Sequence, residues 1–308
     1  MRLTGRFAAA RILALLLSPV LVADARPTAL TVRADRLFLP VEVNGQRTEA
    51  LLDSAAESSL IDPAFARELG LEVSGQATAR GAGGEQQAQL AHVAVRAAAV
   101  RMQDLTVAVL DLSDVSRRLV GSQVRFVLGR ELFDAARLRI DIDRGTLEVV
   151  SRRAPVAGIE LPLTEHAGIE SIPARVEGIA AAADVDLGNG SDVLLGKAFA
   201  ERHGLLGPGR VITSREGGGI GGMRQRAVVR LGRLEVGGST FTDVEAAVDP
   251  MDNAGDLNLG VRILRHFIIV SDFARHRMWL EPRPAAGGSG PPGHPAKENG
   301  PAEGPPAR

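Results

Sequence analysis

The sequence contains no cysteine and no tyrosine, and only 3% of its 308 residues are aromatic. Without cysteine the chain has no disulfides, thiol nucleophiles, cysteine-ligated metal sites or lipidated cysteine. Its core must be built mainly from valine, leucine, isoleucine and alanine, because the chain is 45% hydrophobic with so few aromatic residues. The net charge of −1 lacks the basic excess that holds nucleic acid, so no nucleic-acid partner is expected.

The N-terminus has the features of an export signal. Arg2 and Arg6 precede an apolar run over residues 12–23 that is too short to cross a bilayer comfortably. The run ends at Ala23-Asp24-Ala25, a small-x-small site that a signal peptidase can cut. The sequence predicts a signal peptide over 1–25 and a periplasmic or secreted protein, without stable membrane insertion after cleavage. The alternative is an anchor that stays uncleaved.

The opposite end, residues 284–308, is rich in proline and glycine and has almost nothing apolar to bury. Such a composition does not offset the entropy of ordering the chain, so a disordered tail without chemistry is expected. The remaining length suits two modest domains, predicted at 26–153 and 154–283.

Two parts of the chain are versions of one another. The first reads ALLDSAA from Ala50 and the second reads ADVDLGN from Ala183. Downstream, AFARELGL matches AFAERHGL and FVLG matches LNLG at nearly the same spacing. A repeat of this length exceeds a solenoid unit and indicates a duplicated domain. Each copy presents one aspartate after an apolar run, Asp53 and Asp186, and a pseudo-twofold axis would bring their carboxylates face to face.

Most of each copy reads as short β-strands. An Asn44-Gly45 hairpin signal joins the first two strands of copy one. One short helix is predicted in each copy, over 63–69 before Gly70 and over 197–203 before Gly204. Duplicated short strands with one helix per copy predict an all-β protein of two closed or partly closed lobes.

Copy one has the order strand, Asp-Ser-Ala-Ala, strand, FVLG and final hairpin, and copy two has the same series with Asp-Leu-Gly-Asn and LNLG. This order resembles the retropepsin/pepsin-like aspartic proteases. The resemblance covers residues 30–282 and is closest to the two-lobed, single-chain forms found in bacteria. It implies two tandem retropepsin-like β-barrel lobes and an aspartic-type endopeptidase with Asp53 and Asp186 as the catalytic pair. A polypeptide substrate, no cofactor, no metal and a monomeric state are expected.

Each copy departs at one position from the family pattern Asp-(Thr/Ser)-Gly. The first keeps the hydroxyl at Ser54 but has Ala55 in place of glycine, and the second keeps the glycine but has Leu187 in place of the hydroxyl. In the family this hydroxyl forms a hydrogen bond to the aspartate loop of the opposite lobe. The resemblance therefore implies that only Ser54 makes this hydrogen bond between the loops, which we call the brace, and that Leu187 does not. The residues expected to shape the pair are Ser54, Ala55, Gly188 and Asn189.

The chemistry needs two carboxyl groups close enough to share one proton. The ionised group takes a proton from water, and the protonated group donates to the developing oxyanion. Asp184 lies on the same side of its strand as Asp186, but it aligns with Leu51 and is not chosen. The alternative role for each chosen aspartate is to cap a turn at the end of a strand.

Glycine-rich segments at 80–85 and 215–222 lie where the family has substrate-covering hairpins. The expected flap residues are Gly81, Gly83 and Gly84 in the first segment and Gly218, Gly219 and Gly221 in the second. The second segment also contains a formal G-x-G-x-x-G, but the sequence after it reads as strand rather than the helix of a dinucleotide site. The alternative is an ordinary disordered hairpin tip.

Little else in the sequence indicates chemistry. The six histidines are scattered without metal-ligand spacing, and no G-x-S-x-G motif supplies a serine nucleophile. Charged residues are spread through both copies and are expected to be solvated. Two alternative functions stay open: a peptide-binding module that has lost catalysis, favoured by Ala55 and Leu187, and an envelope protein tethered by its tail.

Overall fold

The computed structural model describes residues 26–166, 168–251 and 254–283. The predicted signal peptide over 1–25 and the predicted tail over 284–308 lie outside these residues. The described chain is mostly β-strand, arranged in three sheets with short helices between strands.

The first half of the chain contributes eleven strands and three short helices. The strands are β1 (Thr28–Ala29), β2 (Thr31–Arg33), β3 (Arg36–Val43), β4 (Gln46–Leu52), β5 (Leu60–Ile61), β6 (Ser74–Gly81), β7 (Gly84–Ala97), β8 (Val100–Val109), β9 (Phe126–Leu128), β10 (Leu138–Asp141) and β11 (Thr146–Val149). The helices are α1 (Pro63–Glu68), α2 (Ser113–Val115) and α3 (Glu131–Ala135), with a π-helical turn over Ser116–Val120.

The second half repeats this order with variations. Its strands are β12 (Ile159–Pro162), β13 (Thr164–His166), β14 (Ile169–Val176), β15 (Ile179–Val185), β16 (Val193–Gly196), β17 (Val211–Gly219), β18 (Gly222–Leu231), β19 (Leu234–Val236), β20 (Ser239–Phe241), β21 (Val244–Asp249), β22 (Leu257–Leu259), β23 (Phe267–Asp272) and β24 (Arg277–Pro282). Its helices are α4 (Lys197–Arg202) and α5 (Val261–Leu264), with a 3₁₀ turn over Phe273–Arg275.

Each lobe is built on its own sheet. The first has eight strands in the order β2-β3-β4-β9-β5-β8-β7-β6, and an additional pairing of β3 with β7 curls it towards a barrel. The second has ten strands along β17-β18-β21-β16-β22-β15-β14-β19-β20, with β13 beside β14. Strand β7 shows the alternation behind this arrangement, because inward residues such as Ala91, Val93 and Val95 are buried and their neighbours point outward.

The third sheet joins the lobes. Its order is β1-β11-β10-β23-β24-β12, so each lobe supplies a hairpin and one outer strand. The hairpins meet where β10 pairs antiparallel with β23, with Ile140 opposite Ile269. The main apolar cluster also contains residues from both lobes, including Leu52 and Leu187. This shared sheet and core hold the two repeats in one arrangement.

The two helices predicted from the repeat are α1 and α4. Asp62 caps α1 by accepting a hydrogen bond from the Ala64 amide at 2.8 Å, and Pro63 occupies the first helical position. The first lobe also contains α2, which the sequence analysis did not predict, and each lobe has a further unpredicted short helix after its tetrapeptide, α3 after Gly129 and α5 after Gly260. Helices α3 and α5 are only five and four residues long, too short to show a helical hydrophobic period.

Candidate active site

Asp53 and Asp186 occupy the same position in the two lobes. Each directly follows a strand, β4 or β15, that runs parallel to a second strand, β9 or β22. The Asp53 amide donates to the Leu128 carbonyl at 3.0 Å, and the Asp186 amide donates to the Leu259 carbonyl at 3.1 Å. The tetrapeptides FVLG and LNLG therefore fix the start of each aspartate loop.

The structure brings these two aspartates together across the lobes. The Asp53 carboxyl group lies directly against Gly188, because a Cβ atom built on that glycine would stand 2.4 Å from Asp53 Cγ. Gly188 in turn donates its amide to Asp186 Oδ1 at 2.8 Å. Both aspartates are half-buried. The two carboxyl groups thus share one small region at the junction of the loops.

Burial and mutual repulsion favour a shared proton. Burial, with the negative charge of Asp186 beside it, raises the pKa of Asp53 to about 7. Burial also raises the pKa of Asp186, while hydrogen bonds from Asn258, Gly188 and Asn189 and the positive charge of Arg36 act in the opposite direction. Below neutral pH the pair can therefore hold one proton between two carboxyl groups.

Ser54 joins the two aspartate loops. Its hydroxyl donates to the Val185 carbonyl at 2.6 Å and accepts a hydrogen bond from the Leu187 amide at 3.0 Å. Ser54 is only 2% exposed, and the Leu187 side chain is buried in the main apolar cluster. Only the first lobe supplies a hydroxyl to this brace, because Leu187, at the matching position of the second lobe, has no hydroxyl to form a reciprocal hydrogen bond.

Replacing Ser54 with alanine should lower the free energy of unfolding by about 2 kcal/mol or more. The change leaves the Leu187 amide and the Val185 carbonyl without their partner, and an unsatisfied buried polar group costs about 1–3 kcal/mol. Ser54→Thr keeps the hydroxyl and should lose less. Urea unfolding would measure all variants beside Ser58→Ala, an exposed serine in the same loop. Equal losses for Ser54→Ala and Ser58→Ala would contradict the brace.

Arg36 contributes a positive charge that the sequence analysis assigned to solvent. It comes from β3 of the first lobe, and its Nε donates to the Gly188 carbonyl at 3.1 Å in the second. Its Nη1 donates to the Leu119 carbonyl at 2.8 Å. Burial lowers the pKa of Arg36, while the charges of Asp186 and Asp53 raise it. An arginine stays protonated at working pH, so it offsets part of the charge on the pair.

Asn258 is a second residue that the sequence analysis missed. Its side-chain amide donates to Asp186 Oδ2 at 2.8 Å. The corresponding residue of the first lobe is Val127. Asn258 lies opposite Asp184 in the parallel pair β15–β22, and Val127 lies opposite Leu51 in the parallel pair β4–β9. The signal was present in the repeat, where LNLG puts a polar residue inside a tetrapeptide that is apolar in FVLG.

The predicted flap glycines lie at the tips of two long hairpins, β6–β7 and β17–β18. They are Gly81, Gly83 and Gly84 in the first hairpin and Gly218, Gly219 and Gly221 in the second. The tips touch, and a Cβ atom on Gly83 would lie 2.0 Å from the Gly222 carbonyl oxygen. One on Gly221 would lie 2.2 Å from the Gly84 carbonyl carbon. Glycine is needed here because backbone packs directly on backbone.

Polar contacts hold the two tips together. The Gly83 amide donates to the Ile220 carbonyl at 3.0 Å. Arg224 donates to the Gly83 carbonyl and Arg226 to the Ala82 carbonyl, each at 2.8 Å. Arg226 is 4% exposed, so it too departs from the expectation of solvated charges. Strand β18 follows the glycines directly, so the G-x-G-x-x-G match lacks the helix of a dinucleotide site.

The second hairpin reaches over the face of the first lobe that carries Asp53. Its tip residue Ile220 packs against an apolar cluster that contains Leu51 and Val127. Leu51 precedes Asp53 by two residues, and side chains two apart along an extended chain point to the same side. The tip of the second hairpin and Asp53 therefore lie towards the same side of strand β4.

The described chain lacks two further features, a metal site and a membrane-spanning helix. Within residues 26–166, 168–251 and 254–283, no three histidine, aspartate or glutamate side chains are grouped so that they could hold a metal ion. Across these same ranges, no helix combines the length and the apolar character needed to cross a membrane.

Comparison with known proteins agrees with the duplicated architecture. A family model described as aspartyl protease matches residues 39–132 and again residues 172–263, together more than half of the chain. Each match contains one of the two loops, with Asp53 in the first and Asp186 in the second. No curated protein matches the chain. The chain belongs to the retropepsin-like aspartyl protease family, with two tandem lobes.

Proposed function

We propose that this protein is an aspartic-type endopeptidase that hydrolyses peptide bonds with water activated between Asp53 and Asp186. The observation that carries the proposal is that two half-buried carboxyl groups, one from each lobe, lie close enough for the charge of Asp186 to raise the pKa of Asp53. Membership of the aspartyl protease family supports a protease-type function and a polypeptide substrate. The tip-to-tip hairpins add a cover under which an extended peptide could lie.

The reaction follows from one proton shared by two carboxyl groups. The ionised carboxylate accepts a proton from water as the water oxygen bonds to the peptide carbonyl carbon. The protonated carboxyl group donates to the carbonyl oxygen, which stabilises the tetrahedral intermediate. As that intermediate collapses, one of its two hydroxyl groups re-forms the carbonyl and returns its proton to the carboxylate that had donated, while the C–N bond breaks and the leaving nitrogen takes the proton that came from water. The two aspartates are then ready for another cycle.

Substrate binding would use the hairpins as well as the carboxyl pair. An extended peptide can pair its backbone with strands β6–β7 and β17–β18, as in other recognition by strand addition. In the present structure the tips contact each other through Gly83 and Ile220. These contacts must open to admit a chain and can close again over it.

The competing function is a peptide-binding module without catalysis. The one-sided brace at Leu187 and the methyl group of Ala55 favour it, because both alter the loops that hold the carboxyl groups. A mixed peptide library incubated with the full chain from about pH 3 to pH 8, a window around the carboxyl pKa values, separates the two functions. New peptide termini, with a rate that peaks on the acidic side of neutral, support the endopeptidase. Peptides retained intact at every pH support the binding module.

A further inference from the structure

The surroundings of the two aspartates differ between the lobes. In the first lobe the parallel strands place apolar Leu51 beside Val127. In the second lobe the matching register places Asp184 beside Asn258. Only in the second lobe is this pair of neighbouring positions, just before the aspartate loop, polar.

A chain of hydrogen bonds fixes which way the Asn258 amide points. The backbone amide of Ser191, which can only donate, donates to Asn189 Oδ1 at 2.9 Å. Asn189 therefore turns its Nδ2 to Asn258 Oδ1 at 2.7 Å. Asn258 is left with its own Nδ2 facing Asp186 Oδ2 at 2.8 Å. The direction of donation is set by a backbone group that cannot flip.

Asp186 consequently receives more donors than Asp53. Its Oδ1 accepts from the amides of Gly188 and Asn189 at 2.8 and 2.9 Å, and its Oδ2 accepts from Asn258. Asp53 accepts hydrogen bonds from backbone amides, with Ala55 donating to its Oδ1 at 3.0 Å. In the described part of the chain, no side chain donates a hydrogen bond to Asp53 as Asn258 does to Asp186. Hydrogen bonds to a carboxylate favour its charged form.

We propose that Asn258 is a positioning residue that keeps Asp186 as the ionised member of the pair and leaves the shared proton on Asp53. Given the proposed endopeptidase function, Asp186 is then the base that accepts a proton from water. Asp53 is the acid that donates to the peptide carbonyl. The duplicated fold thus assigns different roles to its two aspartates through the one apolar-to-polar difference between FVLG and LNLG, Val127 against Asn258.

Other charges near the pair do not reverse this assignment. Arg36 acts on both aspartates, so it lowers both pKa values and does not by itself choose between them. Asp184 is the like charge nearest in the chain, and its own pKa is raised to about 6 by burial, so it is largely neutral under acidic conditions. Asp35 and Arg262 also act on Arg36, Asp35 raising its pKa and Arg262 lowering it.

Carboxyl ¹³C NMR titration tests the assignment without requiring turnover. In full-length protein labelled at aspartate, Asp53→Asn isolates Asp186 and Asp186→Asn isolates Asp53. Asp186 is expected to titrate at lower pH than Asp53. Adding Asn258→Val, the residue that the first lobe has at this position, should raise the Asp186 midpoint by about one pH unit, since a hydrogen bond to a charged group contributes about 1.5–3 kcal/mol.

The control is Leu234→Val, which trims a buried residue of β19, a strand of the second lobe that does not lead into the aspartate loop, and should leave both midpoints in place. An unchanged Asp186 midpoint in Asn258→Val, or an Asp53 that titrates below Asp186, would overturn the assignment. The comparison of the two single aspartate variants retains Asn258, so it decides which aspartate is the ionised member even if Asn258→Val does not fold. If the protein cleaves no peptide, the titration still stands, and only the endopeptidase proposal fails.

Discussion

Replacing either Asp53 or Asp186 with asparagine should lower kcat/KM for peptide hydrolysis by about a thousandfold or more. General acid–base catalysis contributes about 10²–10⁴-fold, and asparagine can neither accept the proton of water nor return one to the substrate. Because the two carboxyl groups act as a unit, the double variant should be hardly slower than either single variant. The measurement is initial cleavage of a peptide identified from the library.

Asp184→Asn is the matched control for this experiment. Asp184 lies two residues from Asp186 and is also partly buried, but its carboxyl group accepts a hydrogen bond from the Ser171 hydroxyl of β14. Its substitution should change the rate no more than a few-fold, with unfolding curves that confirm the fold of every variant. Residual turnover near the native level in both Asp53→Asn and Asp186→Asn would exclude the pair as the catalytic centre.

Gly188→Ala should lower kcat/KM by about a hundredfold or more. The new methyl group would stand 2.4 Å from Asp53 Cγ and 2.5 Å from its Oδ2, so the carboxyl group or the loop must move. A displacement of about 1 Å in a reacting group can cost about a hundredfold in rate. Peptide cleavage would show the loss, and the Asp53 carboxyl titration would show whether its surroundings changed.

Gly232→Ala provides the corresponding control on the surface of the second lobe. A Cβ atom there would meet Glu177 at an ordinary contact distance of 3.4 Å. This variant should keep its activity and nearly all of its stability. If Gly188→Ala behaves like Gly232→Ala, the loops are more adaptable than the close approach of Asp53 to Gly188 indicates.

The sequence determined the duplicated architecture of this protein and the two aspartate loops. Both follow from patterns within each copy: an apolar strand that ends at an aspartate, a short helix before a glycine, and an apolar tetrapeptide. These patterns reflect local requirements of strands, turns and burial, so they can be read without knowing which distant residues meet. The sequence also showed that only one of the two loops has a hydroxyl after its aspartate, because Ser54 and Leu187 occupy matching positions.

Only the tertiary structure decided how the two copies differ around the carboxyl groups. Arg36 crosses from the first lobe to Gly188, and Asn258 turns its amide towards Asp186 through a relay that begins at Ser191. These contacts join residues that are far apart in the chain, and their direction depends on strand register and on the orientation of side-chain amides. A sequence records that an arginine or asparagine is present, but whether it is solvated or points at a buried carboxyl group is set by the packing of the two lobes.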